Sequence, residues 1–159
     1  MRIVRSWKGL EAVDRGAAVA LGNFDGVHRG HQHVIALAAK AAGELKAPLG
    51  VVSFDPHPRR IFQPDAPAFR LMKAGQQERA LAALGVDVLY LLPFDAELAN
   101  LTDRAFADVA RRFGIPRSVP DALIEGFAWD ANRRRYDTLS DVVAYGVRVA
   151  GTVGVMMSL

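Results

Sequence analysis

A chain of 159 residues with 51% hydrophobic content is about one domain long and can bury a sizeable core. Its 20 basic and 17 acidic side chains leave a net charge of +3, which suits phosphate-bearing small molecules and gives no footprint for nucleic acid. The lack of cysteine excludes disulfide frameworks, thiolate-held zinc and thiol chemistry.

The start of the chain, Met1 to Lys8, lacks the apolar run of a signal peptide, which points to a cytoplasmic protein. Ala17 to Leu21 is a short continuous apolar run, the pattern of a strand buried in a parallel sheet. The turn Gly22-Asn23-Phe24-Asp25-Gly26 follows it, and from His31 the spacing becomes helical, with Val34, Leu37, Ala38, Ala41 and Leu45 on one face. Leu49 to Phe54 predicts a second strand, stopped by the prolines of Asp55-Pro56-His57-Pro58. Gln76 to Leu84 predicts a helix closed by Gly85, and Val86 to Leu92 a third strand ended by Pro93. Thr102 caps a helix with the face Phe106, Val109, Ala110 and Phe113.

Strands alternating with helices predict a parallel sheet with the loops 22–30 and 55–58 converging at its carboxyl edge, where ligands of such sheets bind. The second strand should lie beside the first, in either order, with the third alongside. Past residue 114 the alternation stops, and a helical hairpin is expected over Pro120–Ala131 and Leu139–Met157. The second helix contains Gly146, Gly151 and Gly154 and reaches Leu159 without a cap, which reads as a chain cut short. Val142 to Leu159 is about long enough to cross a bilayer. Arg148 inside it would cost about 2.5–3.5 kcal/mol near a membrane centre, so a buried helix is expected instead, packed on the sheet or mediating self-association.

The stretch with the most chemistry is Gly22 to His31. Backbone N–H groups at the start of the helix favour anions, and Gly30 lets a phosphate approach the backbone. His28 and His31 can donate hydrogen bonds to charge building on a phosphoryl group, the demand of nucleotidyl transfer. The competing reading makes both histidines mere helix caps.

The decapeptide resembles the H-x-G-H signature of the nucleotidyltransferase superfamily, and the fuller Gly-x-Phe-Asp-Gly-x-His-x-Gly-His resembles its FAD synthetase branch. The likeness continues through Ser53-Phe54-Asp55-Pro56-His57-Pro58, Leu84-Gly85-Val86-Asp87 and Leu92-Pro93-Phe94-Asp95, and fades near Phe106-Ala107-Asp108. It implies an α/β, Rossmann-like nucleotidyltransferase sheet over residues 1–108, transferring adenylyl from ATP, with Mg²⁺, to FMN to give FAD and diphosphate. On that resemblance His28 and His31 contact the ATP phosphates, while Gly22, Asn23, Phe24, Asp25, Gly26 and Gly30 line the nucleotide site. Phe54, Pro56, His57, Pro58 and Phe62 fall to the flavin pocket, and no residue is assigned to a metal. Read from composition alone, Phe54 and Phe62 are core and His57 is part of a rigid turn.

Two later motifs of that family, a Gly-x-Asp/Asn-Phe-x-Phe-Gly loop and a Ser/Thr-Ser-x-x-Ile/Val-Arg phosphate motif, are not recognisable after residue 108. Residues 109–159 instead resemble an internal fragment of the phytoene/squalene synthases, through Arg112-Phe113-Gly114-Ile115-Pro116, Pro120 to Gly126, Arg134 to Leu139 and Tyr145 to Gly154. The chain thus reads as a splice of two family fragments. A drop in lysine agrees, since none follows Lys73. Four functions compete: an impaired adenylyltransferase, a nucleotide-binding module without turnover, a prenyltransferase fragment and an inert composite. Asp137 and Asp141 have the spacing of a metal motif but fall at a helix start and read as caps. Incubation with geranylgeranyl diphosphate and Mg²⁺ is therefore expected to release no diphosphate, as measured by a coupled phosphate assay.

Overall fold

A computed structural model of the chain describes residues 1–158. Four parallel strands form one sheet in the order β1-β4-β3-β2: β1 (Arg2–Val4), β2 (Ala18–Leu21), β3 (Leu49–Phe54) and β4 (Val88–Leu92). The three expected strands are present and parallel, with Leu49–Phe54 between the other two. The fourth, β1, escaped the sequence reading because Arg2-Ile3-Val4 is too short to show a period.

One face of the sheet carries Ala20, Val51, Leu89 and Leu91. They bury against Ile35 and Ala42 of α1 (Arg29–Leu45) and Leu81 of α3 (Ala74–Ala83). The other face carries a smaller cluster of Val52, Val88 and Tyr90 with Val19 and Val4. Burying one such aliphatic side chain contributes about 1.5–3 kcal/mol, so β3, whose first five residues are all buried, anchors the sheet.

The expected apolar face of α1 needs correction. Val34, Leu37 and Leu45 are 45%, 56% and 71% exposed, whereas Ile35 and Ala42 are buried and Ala38 packs beside them. The helix has apolar residues on more than one stripe, so hydrophobicity leaves its rotation open. Its phase is set by the anchored first turn at His28 and by contact with β2 and β3.

Short helices α2 (Pro58–Phe62) and α4 (Ala96–Ala99) follow β3 and β4. By internal contacts the chain divides into two units, Met1–Asn100 and a second from Leu101 onward. The second contains α5 (Asp103–Arg112), α6 (Ser118–Ala131) and α7 (Leu139–Gly146), which runs on through a π-helical segment, Val147–Gly151, into α8 (Thr152–Ser158). The expected hairpin is therefore present. Of the face expected on α5 only Ala110 is buried, and Phe106, Val109 and Phe113 are 44%, 51% and 58% exposed. That helix rests on its Thr102 cap, whose hydroxyl accepts from the Ala105 N–H at 3.2 Å, more than on burial of its stripe. No helix among the described residues is long and apolar enough to cross a membrane.

Asp141 is a cap, as the sequence suggested, accepting from the Thr138 N–H and hydroxyl at 3.0 and 2.8 Å. Gly126 allows the hairpin to close, because a Cβ there would lie 2.7 Å from Cγ1 of Val149.

Gly50 has the same function inside the sheet. A Cβ at this position would meet Val19 Cγ1 at 2.7 Å, Ala17 Cβ at 3.1 Å and Tyr90 Cε2 at 3.1 Å. Gly50→Ala is expected to lower stability by about 1–3 kcal/mol through overpacking, seen as a lower urea midpoint; an unchanged midpoint would show that the face yields freely.

Candidate functional site

The loop after β2 is organised around Phe24, which adopts a left-handed backbone at φ 48° and buries its ring to 1% exposure. The ring fills the space above Gly22, where a Cβ would come within 3.3 Å of it, and meets His31 edge-on at 5.2 Å. Asn23 is exposed, but its carbonyl accepts from Ser53 Oγ at 3.2 Å and Gln77 Nε2 at 2.7 Å. The Asp25 carboxylate accepts from the backbone N–H groups of Leu71 and Met72 at 2.8 and 3.0 Å, which pins residues 71–72 to the loop. Gly26, at φ 78°, lies against Leu71, whose Cδ1 would be 3.0 Å from an added Cβ. Thus Phe24 and Asp25 build the loop from beneath, while Gly22 and Gly26 keep it thin.

His28 caps α1, with its Nδ1 accepting from the His31 N–H at 3.2 Å. That bond fixes the tautomer of the neutral ring and leaves the His28 proton on Nε2. The two imidazoles stack with centroids 3.6 Å apart, and Gly30 sits against the His28 ring. His31 Nδ1 is buried without a partner, so its proton also belongs on Nε2. Burial, and then the neighbouring His28, hold the His31 pKa below its ordinary value. Two stacked imidazoles therefore stand at the first turn of a 17-residue helix with exposed Gly30 between them, an arrangement able to donate to an anion.

The loop after β3 forms the neighbouring part of the same edge. Asp55, Pro56, His57, Arg60, Ala68, Phe69 and Arg70 line a cleft of about 220 Å³. His57 Nδ1 accepts from the Arg59 N–H at 3.1 Å and caps α2, which starts at Pro58. The His57 ring meets Phe69 at 4.8 Å, and burial with the nearby Arg70 lowers its pKa. Phe54 and Phe62 both meet Phe94, from the loop after β4, at 5.7 and 5.6 Å. Phe62 is 65% exposed, so its reading as core is corrected: α2 is too short to bury it, and it stands on Phe94 as an open aromatic platform.

The structure thus brings His28 and His31 together at the start of α1, and Phe54 and Phe62 together through Phe94. Sequence reading missed the parts that join them. Arg70 donates to Asp55 Oδ1 and to Gln77 Oε1, both at 3.2 Å, and Gln77 is 3% exposed. Nothing in Gln76-Gln77 distinguishes the buried glutamine from its exposed neighbour, since only the phase of α3 separates them. Among the described residues no group of three or more His, Asp or Glu side chains could hold a metal ion.

The chain matches the FAD synthetase family over residues 10–157. It is 41% identical over 108 residues to the bifunctional riboflavin kinase/FMN adenylyltransferase of Pseudomonas fluorescens, covering 68% of this chain and 34% of that protein. It is 30% identical over 136 residues to the protein of that name from Listeria monocytogenes, covering 85% and 42%. A short segment is 62% identical over 56 residues to phytoene synthase of Rhodobacter capsulatus, covering 35% of this chain and 16% of that one. A crystal structure described as a macrolide-efflux protein from Streptococcus pneumoniae superposes with a TM-score of 0.54 at 31% identity, covering 67% and 35%. The chain spans less than half the length of these relatives.

The lowered pKa values of His31 and His57 have a consequence for stability. A histidine held below its ordinary pKa of 6.5 binds fewer protons folded than unfolded. Its contribution is complete above that value and is lost as the pH falls through the lowered one. Urea midpoints are expected to drop as the pH falls below about 7.5, and to do so less in the double variant His31→Gln, His57→Gln. An equal drop in parent and variant would place the titration elsewhere.

Proposed function

We propose, from the premise that this chain belongs to the FAD synthetase family, that its first unit binds ATP at residues 22–31 and FMN at residues 54–62, and catalyses adenylyl transfer between them. The observation that carries this is the stacked His28–His31 pair on the first turn of α1, at the carboxyl edge of a parallel sheet. In the transfer an FMN phosphate oxygen bonds to the α-phosphorus of ATP, and the bond to the β-phosphate oxygen breaks to release diphosphate. No side-chain nucleophile is required. The protein holds the two phosphates in line and stabilises the charge that builds on them.

The Nε2–H groups of His28 and His31 and the N-terminus of α1 are the donors for the ATP phosphates. Gly22, Asn23, Gly26 and Gly30 offer backbone at close range, and Phe24 and Asp25 hold that backbone in place. Mg²⁺ enters as the ATP complex. For the flavin, Phe54 and Phe62 with Phe94 supply an aromatic surface, and Pro56, His57 and Pro58 shape the adjoining cleft. A cytoplasmic setting goes with this activity. With the phosphate motif expected after residue 108 not recognisable, fewer donors hold the transferring group, and turnover should be slow. A binding module without turnover is the second reading, and it rests on that same feature.

The test must respect the cap. His28→Ala would also remove the acceptor for the His31 N–H and weaken α1 by about 0.5–2 kcal/mol. His28→Asn keeps a capping oxygen, and its shorter amide does not reach the position from which Nε2–H donates. Hydrogen bonds to charged groups contribute about 1.5–3 kcal/mol, so His28→Asn with His31→Leu is expected to weaken ATP-Mg²⁺ binding at least about tenfold, with an unchanged circular dichroism spectrum. Calorimetric titration measures the affinity, and formation of FAD from FMN measures the transfer. Parent-like binding and turnover in the double variant would remove both histidines from the site.

A further inference from the structure

We propose that Gln77 is a positioning residue for both loops at once, which rests on the ligand assignment above. Its amide nitrogen orients the nucleotide loop through the Asn23 carbonyl, and its amide oxygen orients the flavin loop through Arg70 and Asp55. Gln77 is on α3, outside every motif that carries the family resemblance.

The argument starts from burial. A glutamine amide at 3% exposure is stable only if its donors and acceptor are met. On one side it faces the Asn23 carbonyl at 2.7 Å, which can only accept. On the other it faces the Arg70 guanidinium at 3.2 Å, which can only donate. The amide therefore has a single orientation, nitrogen to Asn23 and oxygen to Arg70. Ser53 Oγ is the second donor to the Asn23 carbonyl, at 3.2 Å. Because a peptide is planar, drawing that carbonyl inward turns the Phe24 N–H the opposite way, and so sets the loop's backbone. Arg70 passes the constraint on to Asp55 Oδ1, in the wall of the cleft beside Pro56 and His57. One side chain of fixed polarity thereby holds the exits of β2 and β3 in a single geometry.

The two halves can be separated by charge. Gln77→Glu keeps an acceptor for Arg70 and loses the donor to Asn23. Gln77→Lys keeps a donor to Asn23 and repels Arg70. Loss of one hydrogen bond corresponds to about three- to tenfold in affinity. In calorimetric titrations of the full chain, Gln77→Glu should weaken ATP-Mg²⁺ by that factor and leave FMN within about twofold. Gln77→Lys should do the reverse. Gln77→Met, which removes both bonds without burying a charge, should weaken both ligands together. Parallel losses in the Glu and Lys variants, or parent-like binding of both ligands to the Met variant, would overturn the proposal. A readout without ligand separates this inference from the ligand assignment. Amide nitrogen-15 shifts should move at residues 22–26 in the Glu variant and at Asp55 and His57 in the Lys variant. If they do so while the parent binds neither ligand, the ligand assignment fails and the positioning role stands; if the shifts do not divide this way, the positioning role fails.

Discussion

The burial of Phe24 is the constraint on which the site depends. A large side chain gains about 1.5–3 kcal/mol by leaving water, against a cost of about 1–3 kcal/mol for a left-handed non-glycine backbone. The conformation persists because other contacts add to the ring's burial. The ring leaves only a tight 3.3 Å for a Cβ at position 22 and meets the edge of His31, while Asp25 just beyond it takes two backbone amides. Local strain is offset by a core that extends directly under the loop, which brings the backbone of residues 22–26 close to the sheet.

Both proposed binding loops use a histidine as a helix cap. His28 and His57 each give Nδ1 to a backbone N–H, which satisfies an orphan donor at the start of α1 and of α2. An aspartate would cap as well but, ionised, would have no proton to offer outward. An imidazole capping through Nδ1 must carry its proton on Nε2, so the cap prepares the donor. The two readings of His28 that compete in the sequence, cap and phosphate contact, are therefore compatible in one ring.

The second unit is held differently. Arg148 reaches Glu125 at 2.9 Å and lies over the Trp129 ring at 4.4 Å, with Arg134 over the same ring at 4.0 Å. Tyr145 donates to Asp130 at 2.9 Å, across the hairpin. Half-exposed ion pairs contribute only about 0–1 kcal/mol each, so close packing of Gly126 on Val149 is the firmer part of this unit. The unit lies within the span matched by the FAD synthetase family, and two of its aspartates are engaged near helix ends. Asp141 caps α7 and Asp130 receives Tyr145.

The strands β2, β3 and β4 were legible because strands covered on both faces read as unbroken apolar runs, and the loops between them carry glycine and proline where the chain must turn. The caps Thr102 and Thr138 were legible for the same local reason: their bonds close within three residues. Residues 22–31 and 54–58 stood out because a short run of unusual residues lies at a strand end. What a sequence leaves open is phase and distance. Only packing on the sheet decides that α1 buries Ile35 and Ala42 instead of Val34 and Leu37, and that α3 turns Gln77 inward and Gln76 outward. The bonds from Gln77 to Asn23 and from Asp25 to Leu71 and Met72 span about fifty residues, and no local pattern encodes a partner at that range. The residues able to do chemistry were set by composition and spacing. Their arrangement into one edge was decided by the tertiary structure, because burial and long-range hydrogen bonds exist only once the chain has closed on itself.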